Sequence, residues 1–441
     1  MFPEDLGRSL RHAERLFDVE RMKSAIENGL GISSILRVEP RYLRFKKGTS
    51  LIVLYEVLEQ GGAVQHVHAV LGDGSVGRRE AAKWRLRARK LGDTAAKAFV
   101  LDSNIDLVLA RFPVDVALPA LPDVAIVQRI KRLHERLGHP LTAGEVFEVR
   151  DRRSSLQVLS YRPRRRCVLR WDLRVKKAGH KSERRGCVVR LLSAEEALLR
   201  PLDFRRNGTP PAFVPRLIHV GSSPALLLEE DVGGASLAAD STSVSWAEVG
   251  ALLAAFHEWS RSRIAAFTST WTLERARRRA RLAAEHLMDL EPQTGEEAKS
   301  ALDDLERRRP DQVKSGACVG LHGDLHLGQI VRTGDSWHLV DFDRCECGPA
   351  VVDLGRIVGD ALITDDLGAV AASGILEGYR REAPSLDEGL LSWSAAASLI
   401  QSSVDSLRTF RKGASEESRR KLQLARSLLA GRLEQAVGAV E

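Results

Sequence analysis

The stretch from Cys318 to Gly355 constrains this chain most. Two short apolar runs, Cys318 to Leu321 and Trp337 to Val340, each break off at a polar group. The first runs into His322-Gly323-Asp324 and the second into Asp341-Phe342-Asp343. Short apolar runs bounded in this way suit buried strands. Gly323 permits a sharp backbone turn, which would aim Asp324 into a cleft. The turn Thr333-Gly334-Asp335-Ser336 predicts a hairpin pairing Gln329-Ile330-Val331 with Trp337 to Val340, which brings Gln329 beside Asp341. Asp353 opens the helix-like stretch Leu354 to Ala361, where it either caps that helix or hydrogen-bonds the preceding loop.

An acid, an amide and an acid in this order carry a specific chemistry. Asp324 is the candidate catalytic base, accepting or orienting the proton of a substrate hydroxyl; its alternative is an Asx turn. Gln329 and Asp341 offer oxygens to a hard cation such as Mg²⁺, with phosphate and water completing the site. Their alternatives are a glutamine that hydrogen-bonds only its loop and a strand-end carboxylate facing water. Asp343 is read as structural or solvent-facing, His322 and His326 as loop-orienting, and His257 as a packed core histidine.

The rest of the chain predicts an α+β, two-lobed layout. Tyr42 to Phe45 and Leu51 to Leu58 read as a hairpin turning at Lys47-Gly48. A similar hairpin returns at Val158 to Arg174, with Leu43, Phe45 and Tyr55 matching Leu159, Tyr161 and Trp171. Each follows a helical stretch, which points to a degenerate duplication. Residues 1–120 are expected to form an accessory N-terminal, cap-like domain, ended by Pro113, Pro119 and Pro122. A strand-rich lobe follows over 121–232. Its short strand Cys187 to Leu192 carries Arg190. The strand Ala225 to Leu228 ends in Glu229-Glu230-Asp231 and a glycine pair, read as a connector. From 233 to 441 the periodicity becomes helical, as in Trp246 to Trp259, Leu273 to Leu290 and Leu390 to Leu407.

Composition narrows the class. The chain has 441 residues, 44% of them hydrophobic, and a net charge of +8. No run of 18 uncharged apolar residues marks a membrane span, and the first 20 residues lack a signal-peptide core. A cytoplasmic location is expected. The arginines at 162–166 and 275–281 have no interleaved aromatics, so nucleic acid is a poor partner. The second cluster reads as a solvated helix face. Five scattered cysteines make no disulfide framework, and Cys345-Glu346-Cys347 lacks a second pair for zinc.

The blocks His322 to Gln329, Val340 to Asp343 and Gly348 to Leu354, in that order, resemble those of the aminoglycoside phosphotransferase and choline kinase group. That resemblance implies a protein-kinase-like fold, ATP and Mg²⁺ as cofactors, Asp324 as catalytic base, and Gln329 and Asp341 as metal ligands. The family usually has Asn where this chain has Gln329. The Gln form is similar to bacterial maltokinases and glucosamine kinases, which implies a sugar or amino-sugar hydroxyl as acceptor. The family's phosphate-holding lysine aligns best with Arg190, with Lys176, Lys177 or Lys181 as alternatives. Glu195 or Glu196 is a candidate partner for that cation, and Glu229 stands where the adenine-binding connector is expected. Arg164 to Arg166 occupies the turn where a glycine-rich phosphate loop is usual.

Three readings follow. The first is an ATP-dependent phosphotransferase acting on a small-molecule hydroxyl. A second substrate class is an aminoglycoside or other antibiotic, whose positive charge favours an acidic cleft; Asp343, Glu346, Asp360, Asp365 and Asp366 are candidates to line it. The third is a degenerate nucleotide- or protein-binding module.

Overall fold

The computed structural model describes residues 12–73, 76–89, 98–138, 140, 148–176, 180–197, 203–206, 209–221, 226–239, 244–310, 318–364, 367–431 and 433. Lys177, Ala225, Asp365 and Asp366 lie outside them. The fold is α+β with two lobes, a β-rich one and a helical one. The first compact unit spans Met1–Leu198, Leu217–Asp231 and Arg408–Phe410; the second spans Leu199–Arg216, Val232–Leu407 and Arg411–Glu441.

The first unit holds two antiparallel sheets. Helix α1 (Val19–Leu30) is capped by Asp18 and precedes β1 (Ile35–Lys46), β2 (Ser50–Glu59) and β3 (Val64–Gly72). After α2 (Val76–Arg89) come β4 (Phe99–Asp102) and β5 (Leu107–Arg111), and the sheet order is β1-β2-β3-β5-β4. Neither β3 nor α2 was visible in the sequence pattern. The second sheet follows α3 (Val127–Arg136). It contains β6 (Glu148–Val149), β7 (Ser155–Arg162), β8 (Arg166–Lys176), β9 (Glu183–Leu192), β10 (Leu217–Val220) and β11 (Leu226–Glu230). Its order is β10-β11-β9-β8-β6, with β7 paired to β8. Glu229 and Glu230 therefore continue the strand rather than forming the connector. The sheet ladder uses their backbone groups, because β11 pairs with β9 through Glu230↔Cys187.

The two similar hairpins share a register. Phe45 pairs with Leu51 and Pro40 with Tyr55; Tyr161 pairs with Cys167 and Leu156 with Trp171. Each hairpin has one bulge between these pairs, at Pro40/Tyr42 and at Val158/Ser160. Tyr55 and Trp171 are both fully buried, and each donates to a carbonyl upstream of its preceding helix: Leu16 at 2.6 Å and Val124 at 2.9 Å. The turn residues Gly48 and Arg164 both have φ of 63°. The Leu43/Leu159 match fails in packing, since Leu43 is buried and Leu159 is exposed.

Arg164 adopts this left-handed conformation without being glycine, and its neighbours hold it there. Its N–H donates to Asp115 at 2.7 Å, and its guanidinium pairs with Glu80 at 2.7 Å. Asp115, fully buried, also accepts from the Tyr161 hydroxyl at 2.9 Å. One apolar core runs through Tyr42, Leu54, Leu118, Tyr161 and Trp171.

The second unit is mainly helical. Its helices are α4 (Trp246–Arg261), α5 (Leu273–Leu290), α6 (Pro292–Arg307), α7 (Val351–Ile363), α8 (Gly368–Glu382), α9 (Glu388–Arg408) and α10 (Ala414–Leu429). Small strands interrupt them: β12 (Ala235–Ser236), β13 (Val319–Leu321), β14 (Ile330–Thr333), β15 (Ser336–Leu339) and β16 (Glu346–Gly348). No helix among the described residues is long and apolar enough to cross a membrane.

Candidate active site

The site is built on the small strands of the helical unit. Val319–Leu321 is fully buried and pairs antiparallel with Glu346–Gly348. The chain leaves it at Gly323, whose φ is 77°. A methyl group at this position would run into the Arg344 carbonyl, so the turn demands glycine. Asp353 fixes the loop. It lies in the first turn of α7, but its carboxylate serves the loop rather than capping the helix. It accepts from the His322 N–H at 2.5 Å and from the Gly323 N–H at 3.0 Å. Two preorganised acceptors thus hold the backbone just before Asp324.

Behind Asp353 stands His257, whose Nε2 lies 3.4 Å from the carboxylate and whose Nδ1 lies 2.8 Å from the Tyr379 hydroxyl. Burial alone would raise the Asp353 carboxyl; the hydrogen bond and charge of His257, helped by His322 and the Gly323 N–H, hold it below its ordinary value. His322 is fully buried, and burial pushes its imidazole below the ordinary value. Its Nε2 meets the Val340 carbonyl at 2.9 Å. A carbonyl only accepts, so Nε2 carries the proton. Gly328 N–H donates to His326 Nδ1 at 3.0 Å, and Leu327 N–H donates to Asp360 at 2.8 Å.

The hairpin outlined by the sequence pattern is present: Ile330 pairs with Leu339, and Val340 N–H donates to the Gln329 carbonyl at 3.0 Å. It brings the Gln329 amide 3.3 Å from the Asp341 carboxylate. Asp341 has φ of 68°, a left-handed conformation that aspartate tolerates better than most residues. An amide and a carboxylate placed together form an oxygen donor set that fits Mg²⁺ once the amide turns its oxygen inward. Among the described residues no three His, Cys, Asp or Glu side chains cluster as metal ligands. Two protein donors with phosphate and water is the pattern the hard, strongly hydrated ion favours. Cys345 and Cys347 are buried free thiols.

Asp324 is surrounded by cations that the sequence reading passed over. Its Oδ1 lies 3.3 Å from Arg344 and 3.5 Å from Arg356. Burial pushes the Asp324 carboxyl up, but Arg344 and Arg356, with His326 and His322, more than reverse this and hold it well below the carboxylate range. Burial lowers the Arg356 guanidinium, against the pull of Asp324 and Asp353. The signal for Arg344 lay in plain view, three residues past Asp341. Arg356 reaches Asp324 only through the packing of α7.

Several expected groups have other partners. Arg275 and Arg279 are not a solvated face: one turn apart on α5, they hold the buried Glu346 at 3.0 Å and 3.1 Å. Glu346 is therefore paired and taken out of an acidic cleft, while Asp360 accepts one backbone N–H from the loop. Arg190, in the other unit, is buried and ion-paired with Glu229. Arg190 faces Leu227 across the β9–β11 ladder, so Glu229, two residues on, shares its side of the sheet. Glu196 instead pairs with Arg165, at 2.8 Å. The alternative lysines Lys176 and Lys181 line a wide basic cavity with Lys131, Arg150, Arg152 and Arg153.

A sequence profile of the phosphotransferase enzyme family matches residues 168–389, about half of the chain. The chain belongs to this family, whose general activity is phosphoryl transfer to a small molecule. No curated protein matches it by sequence. Among solved structures it is similar to a choline kinase from Cryptosporidium parvum Iowa II, with 12% identity over 70% of this chain and 97% of that one and a TM-score of 0.49. It is similar to the choline kinase LicA from Streptococcus pneumoniae, with 12% identity over 69% and 99% and a TM-score of 0.47. An aminoglycoside phosphotransferase from Streptomyces rimosus shares 18% identity over 54% and 89%, with a TM-score of 0.39.

Proposed function

We propose that the protein is an ATP- and Mg²⁺-dependent phosphotransferase acting on a hydroxyl of a small molecule, a sugar or amino sugar on the strength of the Gln-containing motif. The observation that carries this reading is the joint placement of Asp324, Gln329 and Asp341 on one rigidly held loop and hairpin. Asp324 is the catalytic base. Held as a carboxylate by its arginines, it is a weak base at neutral pH, so it first orients the acceptor hydroxyl and takes the proton as the oxygen becomes bonded to phosphorus. Gln329 and Asp341 would hold Mg²⁺. When bound, the metal would neutralise charge on the phosphates.

In the other unit, Arg190 is the proposed phosphate-holding cation. Its Glu229 partner fixes the guanidinium much as a carboxylate fixes the lysine in kinases. Residues 1–120, 121–232 and 233–441 are proposed as accessory part, N-lobe and catalytic C-lobe. The second reading, a binding module without turnover, draws on the same Arg190–Glu229 pair, because a cation already neutralised is a poorer phosphate ligand. The reading is tested by product formation from ATP across sugars, amino sugars and aminoglycosides. Asp324→Ala should lower kcat by about 10²–10⁴-fold, and Gln329→Ala should raise the Mg²⁺ concentration needed for half-maximal rate. Equal rates for wild type and Asp324→Ala would refute the base assignment.

A further inference from the structure

The charge around Asp324 bears on which acceptor it serves. The cations Arg344 and Arg356 face Asp324, and Arg275 and Arg279 face Glu346. Asp353, the remaining carboxylate beside Arg356, is already occupied by two backbone N–H groups and His257. Asp324 and Glu346 are thus each faced by two guanidinium groups. A cationic acceptor brought to Asp324 would meet like charge, which costs affinity and slows encounter.

A narrow crevice opens beside the same arginine. It is lined by Trp271, Arg279, Arg356, Trp393, Ser394 and Gln401. Arg356 donates to the side chain of Gln401, also in the lining, at 2.8 Å. Ser394 is 4% exposed, and its hydroxyl makes no hydrogen bond. A buried hydroxyl without a partner costs stability unless a ligand supplies one. The enclosed space is about 10 Å³, room for roughly one oxygen-sized group and not for a sugar ring. Two arginines, a serine hydroxyl, two indoles and the Gln401 amide thus line a space sized for an end group.

We propose that this crevice receives a carboxylate oxygen of the acceptor, so that the enzyme's substrate class is hydroxylated carboxylic acids, such as sugar acids. The proposal rests on the phosphotransferase reading and narrows its substrate. The carboxylate would take charge-assisted hydrogen bonds from Arg279 and Arg356 and one from Ser394. Its hydroxyl would then lie toward Asp324, which Arg356 also touches.

The test uses the full chain with one ring in three charge states: glucose, glucosamine and glucuronate. Affinity is measured calorimetrically, and turnover is measured with Mg²⁺ and ATP. Glucuronate should bind at least about 10-fold more tightly than the other two, the factor expected for one added charged hydrogen bond. Ser394→Ala should weaken glucuronate several-fold through KM, leave glucose affinity unchanged, and hold or raise the melting temperature, because the hydroxyl it removes is buried without a partner. Arg279→Gln should weaken glucuronate further and lower the melting temperature as well, because it also unpairs the buried Glu346. Equal binding of the three sugars by wild type, or preference for glucosamine, overturns the proposal, as does Ser394→Ala that leaves glucuronate affinity untouched. Selective glucuronate binding without turnover upholds the subsite and refutes the phosphotransferase reading; turnover that favours glucose does the reverse.

Discussion

Asp353→Asn isolates what the buried carboxylate does. Asp353 has no solvent exposure and accepts two backbone N–H groups, at 2.5 Å and 3.0 Å. Hydrogen bonds to a charged group are worth about 1.5–3 kcal/mol each. Asparagine keeps one acceptor oxygen and turns an NH₂ toward the other donor, so one bond is lost and two donors collide. The expected cost is about 3 kcal/mol. At about 2–4 °C per kcal/mol for a unit of this size, the melting temperature should fall by about 6–12 °C. The loop released at Gly323 carries Asp324, and a displacement of about 1 Å there can cost on the order of 100-fold in kcat. Tyr379→Phe is the control. It removes a hydroxyl 2.8 Å from His257 in the same network without touching the loop, so stability should drop by about 1 kcal/mol while kcat holds. Melting curves and turnover at saturating ATP check both variants. An Asp353→Asn protein within about 1 °C and twofold of wild type, on the scales just used, would refute the reasoning.

Gly323→Ala should be worse folded still, since position 323 combines a left-handed φ with contact to the Arg344 carbonyl; circular dichroism and yield report it. Arg344→Gln removes the first of the charges that depress the Asp324 carboxyl. In wild type the ionised form persists below the usual carboxylate range, so the acidic limb of kcat/KM lies at low pH; in the variant that limb should move to higher pH. His68, fully buried beside Tyr161, is pushed down to about 4 by burial, which outweighs Asp115. The unfolded chain binds a proton there below about 6.5 that the folded chain refuses. Stability should therefore fall as pH drops from about 6.5 to 4, by about 3 kcal/mol at most. Denaturant melts of wild type and His68→Gln should show this slope only in wild type.

The loop and hairpin of the candidate site were legible because their pattern is local. Gly323, Gln329 and Asp341 stand within twenty residues, and the strands that carry them announce themselves by short apolar runs. The partner of Arg190 was not legible. Glu229 is 39 residues away and becomes its neighbour only through the β9–β11 register, whereas Glu196 is near in sequence and points at Arg165. The helix 275–281 misled for a related reason. Its arginines follow a surface pattern, yet two of them cover the buried Glu346, whose burial depends on the β13–β16 pairing. The likeness of the two hairpins was legible in the Phe45/Tyr161 and Tyr55/Trp171 matches, while the equivalence of Gly48 and Arg164 needed backbone angles.

The anchored turn at Arg164 has a consequence for how this unit comes apart. Its backbone N–H is satisfied by a carboxylate 49 residues earlier in the chain, and Tyr161 depends on the same group. Opening the turn therefore breaks the hydrogen bonds gathered on Asp115 and uncovers a core shared by Tyr42, Leu118 and Trp171. Such coupling joins the early hairpin and the later one into one cooperative block. The amide of Arg164, although it sits in a hairpin turn, should exchange its hydrogen as slowly as the central strands, released only when the whole block unfolds.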